Sequence, residues 1–214
     1  MSHLRKEERL IIYLLVPFYL VGTLSHIGDA TLPLMLVLTP YSILLTSVIG
    51  FFFDIREKNN PLLSWASVTF LVTLFLEIVG VATSLIFGAY TYGDTLGLKL
   101  LGVPLLIGIN WTIIILGIAD VLRQKVTNNA LAALITASLT VLFDYVMEPV
   151  AIAFDYWNWT AGPIPLQNYI AWFVIAFLFS YLYFRNSLQS ASKVPTIIVV
   201  IQFIFFLSLR IFAI

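Results

Sequence analysis

The stretch FDYVMEPVAIAFDYWNWTAGPIPLQNYIAW, Phe143–Trp172, places three carboxylates, Asp144, Glu148 and Asp155, in or beside apolar sequence. Trp157, Trp159, Trp172, Asn168 and a cluster of prolines accompany them. Whether these acids lie on a wet surface or inside a membrane helix decides the fold. The 214 residues are 61% hydrophobic and only 10% charged, with a mean hydropathy of +1.01. A soluble domain carries roughly 25% charged residues. The expected fold class is therefore an all-α integral membrane protein, a bundle of about seven transmembrane helices, with residues 1–214 forming a single membrane domain.

Net charge is zero, so nothing points to nucleic acid as a partner, and the absence of cysteine excludes disulfides and thiolate chemistry. The N-terminal MSHLRKEER runs straight into a long apolar segment without a small-residue cleavage site. It reads as the approach to a first transmembrane helix rather than a removed signal peptide. A span needs about 20 mostly apolar residues. Seven candidates satisfy this: Leu10–Ile27, Leu32–Phe53, Leu62–Phe87, Leu98–Leu122, Ala130–Ala153, Asn168–Phe184 and Val194–Ala213. With that alternation, nine of the 11 basic residues fall on one side, while Lys99 and Arg210 lie toward the other. The positive-inside rule then puts the N-terminus in the cytoplasm and the C-terminus outside. The expected location is the inner (cytoplasmic) membrane, multi-pass, with lipid around the bundle.

Glu77 lies deep in the third span and Asp144 deep in the fifth. At 1.5 Å per residue both sit ~21–23 Å from the start of their spans, at similar depth. Glu148 follows Asp144 by one turn on the same face. Thr69, Thr73, Glu77, Gly80 and Ser84 form a small, polar stripe, and Ala133, Ala137, Thr140, Asp144 and Glu148 form a second. The third and fifth spans are expected to face each other across a site. An ionised Asp at the centre of a membrane helix costs roughly 2.5–3.5 kcal/mol. Three acids at one level therefore point to function, with at least one carrying its proton. The competing reading is neutral carboxyls acting as interhelical packing contacts.

Asn110 and Trp111 lie mid-span in the fourth helix. Asn168 opens the sixth, where an Asn is commonly a cap, and Trp172 follows one turn later. Tyr90, Tyr92, Tyr156, Trp157 and Trp159 cluster at the outer interface, where an aromatic belt is the expectation for most of them. Tyr156 and Trp157, beside Asp155, are the ones singled out for the site. His26 and Asp29 end the first helix on a turn expected to be solvated. No metal site is expected from residue spacing; a Glu77–Asp144–Glu148–His26 set would need a convergence that spacing does not show. GxSxG, P-loop and dinucleotide signatures are absent. No lysine lies mid-helix to form a retinal Schiff base.

With these residues in view, the chain resembles the carotenoid-biosynthesis membrane protein family that contains the acyclic carotenoid 1,2-hydratases. These include the γ-carotene 1',2'-hydratases and the bisanhydrobacterioruberin hydratases. The resemblance rests on EIVGVATSLIFGAYTYGDTLGLKLLGVPLLIGINW (Glu77–Trp111) and on the Phe143–Trp172 stretch. The order of features carries it. An acid enters a Gly-rich segment ending Phe-Gly-x-Tyr, followed by Gly-Val-Pro and a mid-helix Trp. Then come Asp-x-x-x-acid-Pro, Tyr-Trp-x-Trp, Ile-Pro, and Asn before Trp.

The resemblance implies a hydro-lyase that adds water across the terminal C1–C2 double bond of an acyclic carotenoid end group, without a cofactor. A neutral carboxyl protonates C2, leaving a tertiary cation at C1, and an ionised carboxylate orients water and takes its proton. The catalytic candidates are Glu77, Asp144 and Glu148. Candidate substrate-binding residues are Tyr90, Asn110, Trp111, Asp155, Tyr156, Trp157, Asn168 and Trp172. The implied partners are the lipophilic acyclic carotenoid and water. Three alternatives stand beside this reading: a cyclase using the same cation, a proton-coupled transporter, and a non-catalytic carotenoid-binding partner. A transporter needs a relay through both halves of the membrane, and the cytoplasmic halves of the spans are expected to hold almost no ionisable residue.

Overall fold

The computed structural model describes residues 4–214. Seven helices among them are long and apolar enough to cross a membrane. They are α1 (Lys6–Ile27), α2 (Leu32–Arg56), α3 (Asn60–Thr83), α4 (Leu105–Arg123), α5 (Asn129–Ala153), α6 (Leu166–Arg185) and α7 (Val194–Phe212). The protein is an all-α, multi-pass membrane bundle. Lipid offers no hydrogen bonds to a bare backbone, so each apolar run satisfies its amides internally as a helix.

α4 is the central helix. Its apolar window is 61% buried, against 11% for α1, which lies at the lipid face. Gly117 lets α7 dock closely on α4: a Cβ there would lie 2.7 Å from the carbonyl oxygen of Pro195. Thr196 donates to the Gly117 carbonyl at 2.9 Å across the same contact. α5 packs chiefly on α6, and α3 packs on α4. The third and fifth spans face each other across a cavity at the level of their acids, while elsewhere α3 packs on α4 and α5 on α6, so the two stripes do not pack along their length. The stripe hydroxyls of Thr69, Thr73 and Thr140 instead donate to carbonyls one turn back in their own helices.

Pro149 lies inside α5. Proline lacks the N–H that would bond the Tyr145 carbonyl. Arg210 of α7 supplies a donor instead, at 2.5 Å, with its guanidinium 4.5 Å from the Tyr145 ring centre.

Two expected spans are shorter than their apolar runs. α3 ends at Thr83, because Ser84 adopts a left-handed conformation at φ 58° and closes the helix. The fourth begins at Leu105 rather than Leu98, because Lys99–Leu100 (β2) pairs antiparallel with Val103–Pro104 (β3). Leu101 and Gly102 both have positive φ in the turn between them, as a two-residue hairpin requires. The second strand pair matters more. Tyr90–Tyr92 (β1) pairs antiparallel with Trp157–Trp159 (β4), in the register Tyr90↔Trp159, Thr91↔Asn158 and Tyr92↔Trp157.

The opposite end of the bundle holds acids that the sequence reading discounted. Glu8, Asp54 and Asp120 are all buried there. Asp54 accepts from the Ser190 hydroxyl and the Ala191 amide at 2.9 and 2.8 Å. Asp120 accepts from the Tyr183 hydroxyl at 3.0 Å and from Lys193 Nζ at 2.9 Å. Glu8 accepts from the Lys193 amide at 2.9 Å. These carboxylates clamp the α6–α7 loop. They are saturated by local donors, and the hydroxyls between them and the far acids are spent on their own helices.

Candidate active site

Glu77 on α3, Asp144 and Glu148 on α5, and Asn168 on α6 line one small cavity, closed over by β1 and β4. The cavity is about 20 Å³, room for about one water. All three acids are buried. Helical spacing puts Asp144 and Glu148 on one face, one turn apart, and Asn168 bridges them. Its Nδ2 donates to Asp144 Oδ2 at 3.0 Å and to Glu148 Oε1 at 3.2 Å. Asn168 is the third residue of α6, whose cap is Pro165, so its amide serves the acids and not the helix end.

The strand pair supplies the remaining donors. Side chains alternate along a strand, so Tyr90, Tyr92, Trp157 and Trp159 share one face while Thr91 and Asn158 take the other. That inner face points at the acids. Tyr90 and Tyr92 both donate to Glu77 Oε2, Tyr92 at 2.8 Å. Trp157 and Trp159 donate their indole N–H to Glu148 Oε2 at 2.9 and 3.0 Å. Burial, reinforced by the nearby Glu77 carboxylate, pushes the phenols of Tyr90 and Tyr92 above their ordinary range, so both remain O–H donors. Glu148 receives three N–H donors and Glu77 two O–H donors. Asp144 receives the Asn168 amide alone among the described residues.

An aromatic wall completes the cavity. Trp111 stacks on Trp172 with centroids 3.7 Å apart at 21°, and Trp172 stacks on Phe87 at 5.3 Å and 24°. Tyr90 packs on Trp159 at 5.0 Å. The expected aromatic belt is therefore corrected for Tyr92 and Trp159, which line the cavity together with the candidate Tyr90. Tyr92 and Trp159 were absent from the candidate set. Their signal was the alternation in Tyr-Thr-Tyr and Trp-Asn-Trp, too short to read as strands without their partner.

The other candidates lie apart from the acids. Asp155 is exposed in the turn before β4, where it accepts from Asn158 at 2.9 Å. Gly93 fits against it: a Cβ on Gly93 would lie 2.1 Å from the Asp155 carbonyl oxygen. Asn110 and Tyr156 line a second small cavity with Trp111 and Trp157, and also a large apolar one of about 470 Å³ between α1, α2 and α7. The three cavities are neighbours around the first turns of α4: the second shares Asn110 and Tyr156 with the large one, and Trp111 and Trp157 with the acid cavity. Burial pushes the Tyr156 phenol up to about 12. His26, expected to be solvated, is buried beside Phe154 and Phe205 and lines the large cavity, while Asp29 is exposed. Among the described residues no group of three or more His, Cys, Asp or Glu is placed to hold a metal ion.

The profile of a family described as "Carotenoid biosynthesis protein" matches residues 14–214. The chain belongs to the carotenoid biosynthesis protein family. The match takes in every residue of the acid cavity and of the strand pair above it. Among curated proteins, the chain is similar to the bisanhydrobacterioruberin hydratase of Haloarcula japonica, at 28% identity over 181 residues. The alignment covers 78% of this chain and 61% of that relative, so the chain spans about three-fifths of the relative's length. No solved structure matches.

Proposed function

We propose that the protein hydrates the terminal C1–C2 double bond of an acyclic carotenoid end group. The observation that carries this reading is the unequal provision of donors to three buried carboxyls around space for about one water. Family membership and the hydratase name of the Haloarcula japonica relative support the substrate class.

Asp144, with one donor, acts as the acid. Its proton goes to C2 of the alkene and leaves a tertiary cation at C1. The face of Trp111 turned away from Trp172 stabilises that cation by roughly 0.5–2 kcal/mol. Glu148, held by three N–H groups, suits the acceptor-only carboxylate. It orients the water, takes its proton as the C1–O bond forms, and returns it to Asp144 one turn away. Alkene and water are consumed and a tertiary alcohol is released, with no redox change. Glu77 fixes the negative field on the opposite wall. Space for a water beside the acids favours capture by water over the ring closure of a cyclase. The polyene enters the large cavity from its lipid-facing side, and the small cavities around Asn110 and Trp111 must widen for its end group to reach the acids.

The test is expression in a lycopene-producing bacterium with mass analysis of the pigments. Wild type is expected to add the mass of one water per converted end, and Asp144→Asn and Glu77→Gln to abolish that product. A product of unchanged mass with a new ring would establish the cyclase. Near-normal hydration by both amide variants would overturn the assignment.

A further inference from the structure

The large cavity between α1, α2 and α7 has a chemistry that the acid site does not use. Exposed Leu14, Val21 and Leu38 form its lipid-facing side. Deeper in stand His26 and Gln202, only 7% and 5% exposed. These two residues carry the buried side-chain atoms that lack a hydrogen-bond partner among the described residues: His26 Nε2 and Gln202 Oε1. The state of His26 follows from its other nitrogen. Nδ1 lies 2.7 Å from the Gly22 carbonyl oxygen. A carbonyl only accepts, so Nδ1 carries the proton and Nε2 of the neutral ring is a bare acceptor. Gln202 uses the other end of its amide on Asn110 Oδ1, at 3.4 Å. An unpaired polar atom in an apolar wall is costly. Gln202 has the Tyr19 hydroxyl nearby on the cavity wall, so His26 Nε2 marks where a donor belongs.

We propose that this cavity is a binding site for a lipophilic tertiary alcohol, whose hydroxyl donates to His26 Nε2 beside the Gln202 amide while its chain fills the apolar volume. The identity of the natural ligand as the hydrated end group rests on the hydration reading; the binding itself does not. Asn110 and Tyr156 separate this cavity from a small neighbour, and Trp111 and Trp157 separate that neighbour from the acids. An alcohol formed at the acids that withdraws past these residues exchanges water for His26, which favours product over alkene in the outer cavity.

The test uses the full chain in lipid nanodiscs with 2-methylundecan-2-ol as probe and 2-methylundecane as its hydrocarbon control. The wild type is expected to bind the alcohol about two- to tenfold more tightly than the alkane, the worth of one net hydrogen bond. In ¹⁵N-histidine-labelled protein the His26 Nε2 resonance moves with the alcohol and stays put with the alkane. His26→Phe, which keeps an aromatic ring between Phe154 and Phe205, retains alkane binding and loses the preference. Equal binding of both probes by wild type, or a preference that survives His26→Phe with Nε2 unmoved, overturns the proposal. Failure of the hydration reading shows separately, as wild-type pigment that gains no water.

Discussion

Glu148 Oε2 accepts two indole N–H groups, an arrangement that fixes the carboxylate with donors that neither titrate nor rotate far. A hydrogen bond to a charged group is worth about 1.5–3 kcal/mol. If Glu148 acts as the ionised partner in catalysis, Trp159→Phe should slow hydration by about ten- to a hundredfold, since 1.36 kcal/mol is tenfold in rate. The packing against Tyr90 is kept by phenylalanine. Pigment conversion per unit of folded protein is the measurement, and an unchanged rate would remove Glu148 from the ionised role. Tyr90→Phe tests Glu77 in the same way. Loss of one phenol is expected to lower turnover, and the Tyr90/Tyr92 double variant to lower it further, with Glu77 left buried and unpaired.

At the scale of elements, the pairing of β1 with β4 converts two loops into a donor array. Its edge is defended by Gly93, whose amide donates to the Tyr156 carbonyl at 3.0 Å and whose missing side chain makes room for the Asp155 backbone. Gly93→Ala therefore forces the strands apart, at about 1–3 kcal/mol for overpacking. Activity should fall together with thermal stability, as followed by unfolding in detergent. The same substitution at Gly162, where nothing lies within 4 Å, serves as the control for a general loop effect, although its φ of 85° carries some backbone strain of its own. The α5–α7 contact makes a second case. Arg210→Met leaves the Tyr145 carbonyl freed by Pro149 without its donor. A loss of about 0.5–1.5 kcal/mol is expected in the same unfolding measurement.

Over the whole molecule, the two ends of the bundle carry different kinds of polar chemistry. One end ties the N-terminal segment and the α2–α3 and α6–α7 loops together through Glu8, Asp54 and Asp120. The other holds the acid cavity under its strand cap. The chain has no native cysteine, so single cysteines at Ser187 and Thr91 can report sidedness. Ser187 is expected to react with a membrane-impermeant thiol reagent from the cytoplasmic side and Thr91 from the outside, as the distribution of basic residues implies. The opposite pattern would invert the topology and place the acid site in the cytoplasmic half.

The sequence by itself determined the seven helices, the segments that share an end, and the depth of Glu77, Asp144 and Glu148. Each of these is a local property. An apolar run of sufficient length has no stable alternative to helix in lipid, and an acid in the middle of such a run announces itself by its cost, whereas the buried Glu8, Asp54 and Asp120 lie near the ends of theirs. Resemblance in the ordered segments Glu77–Trp111 and Phe143–Trp172 added the family. Only the tertiary structure decided what the acids are bonded to. Three-residue strands carry no periodic signal of their own, so Tyr92 and Trp159 read as interface aromatics until β1 and β4 pair and turn them inward beside Tyr90. Asn168 looked like a helix cap, and His26 like a solvated end, for the same reason. A polar side chain is a cap, a ligand or an orphan according to what packs against it, and those neighbours come from distant segments that no local pattern brings together.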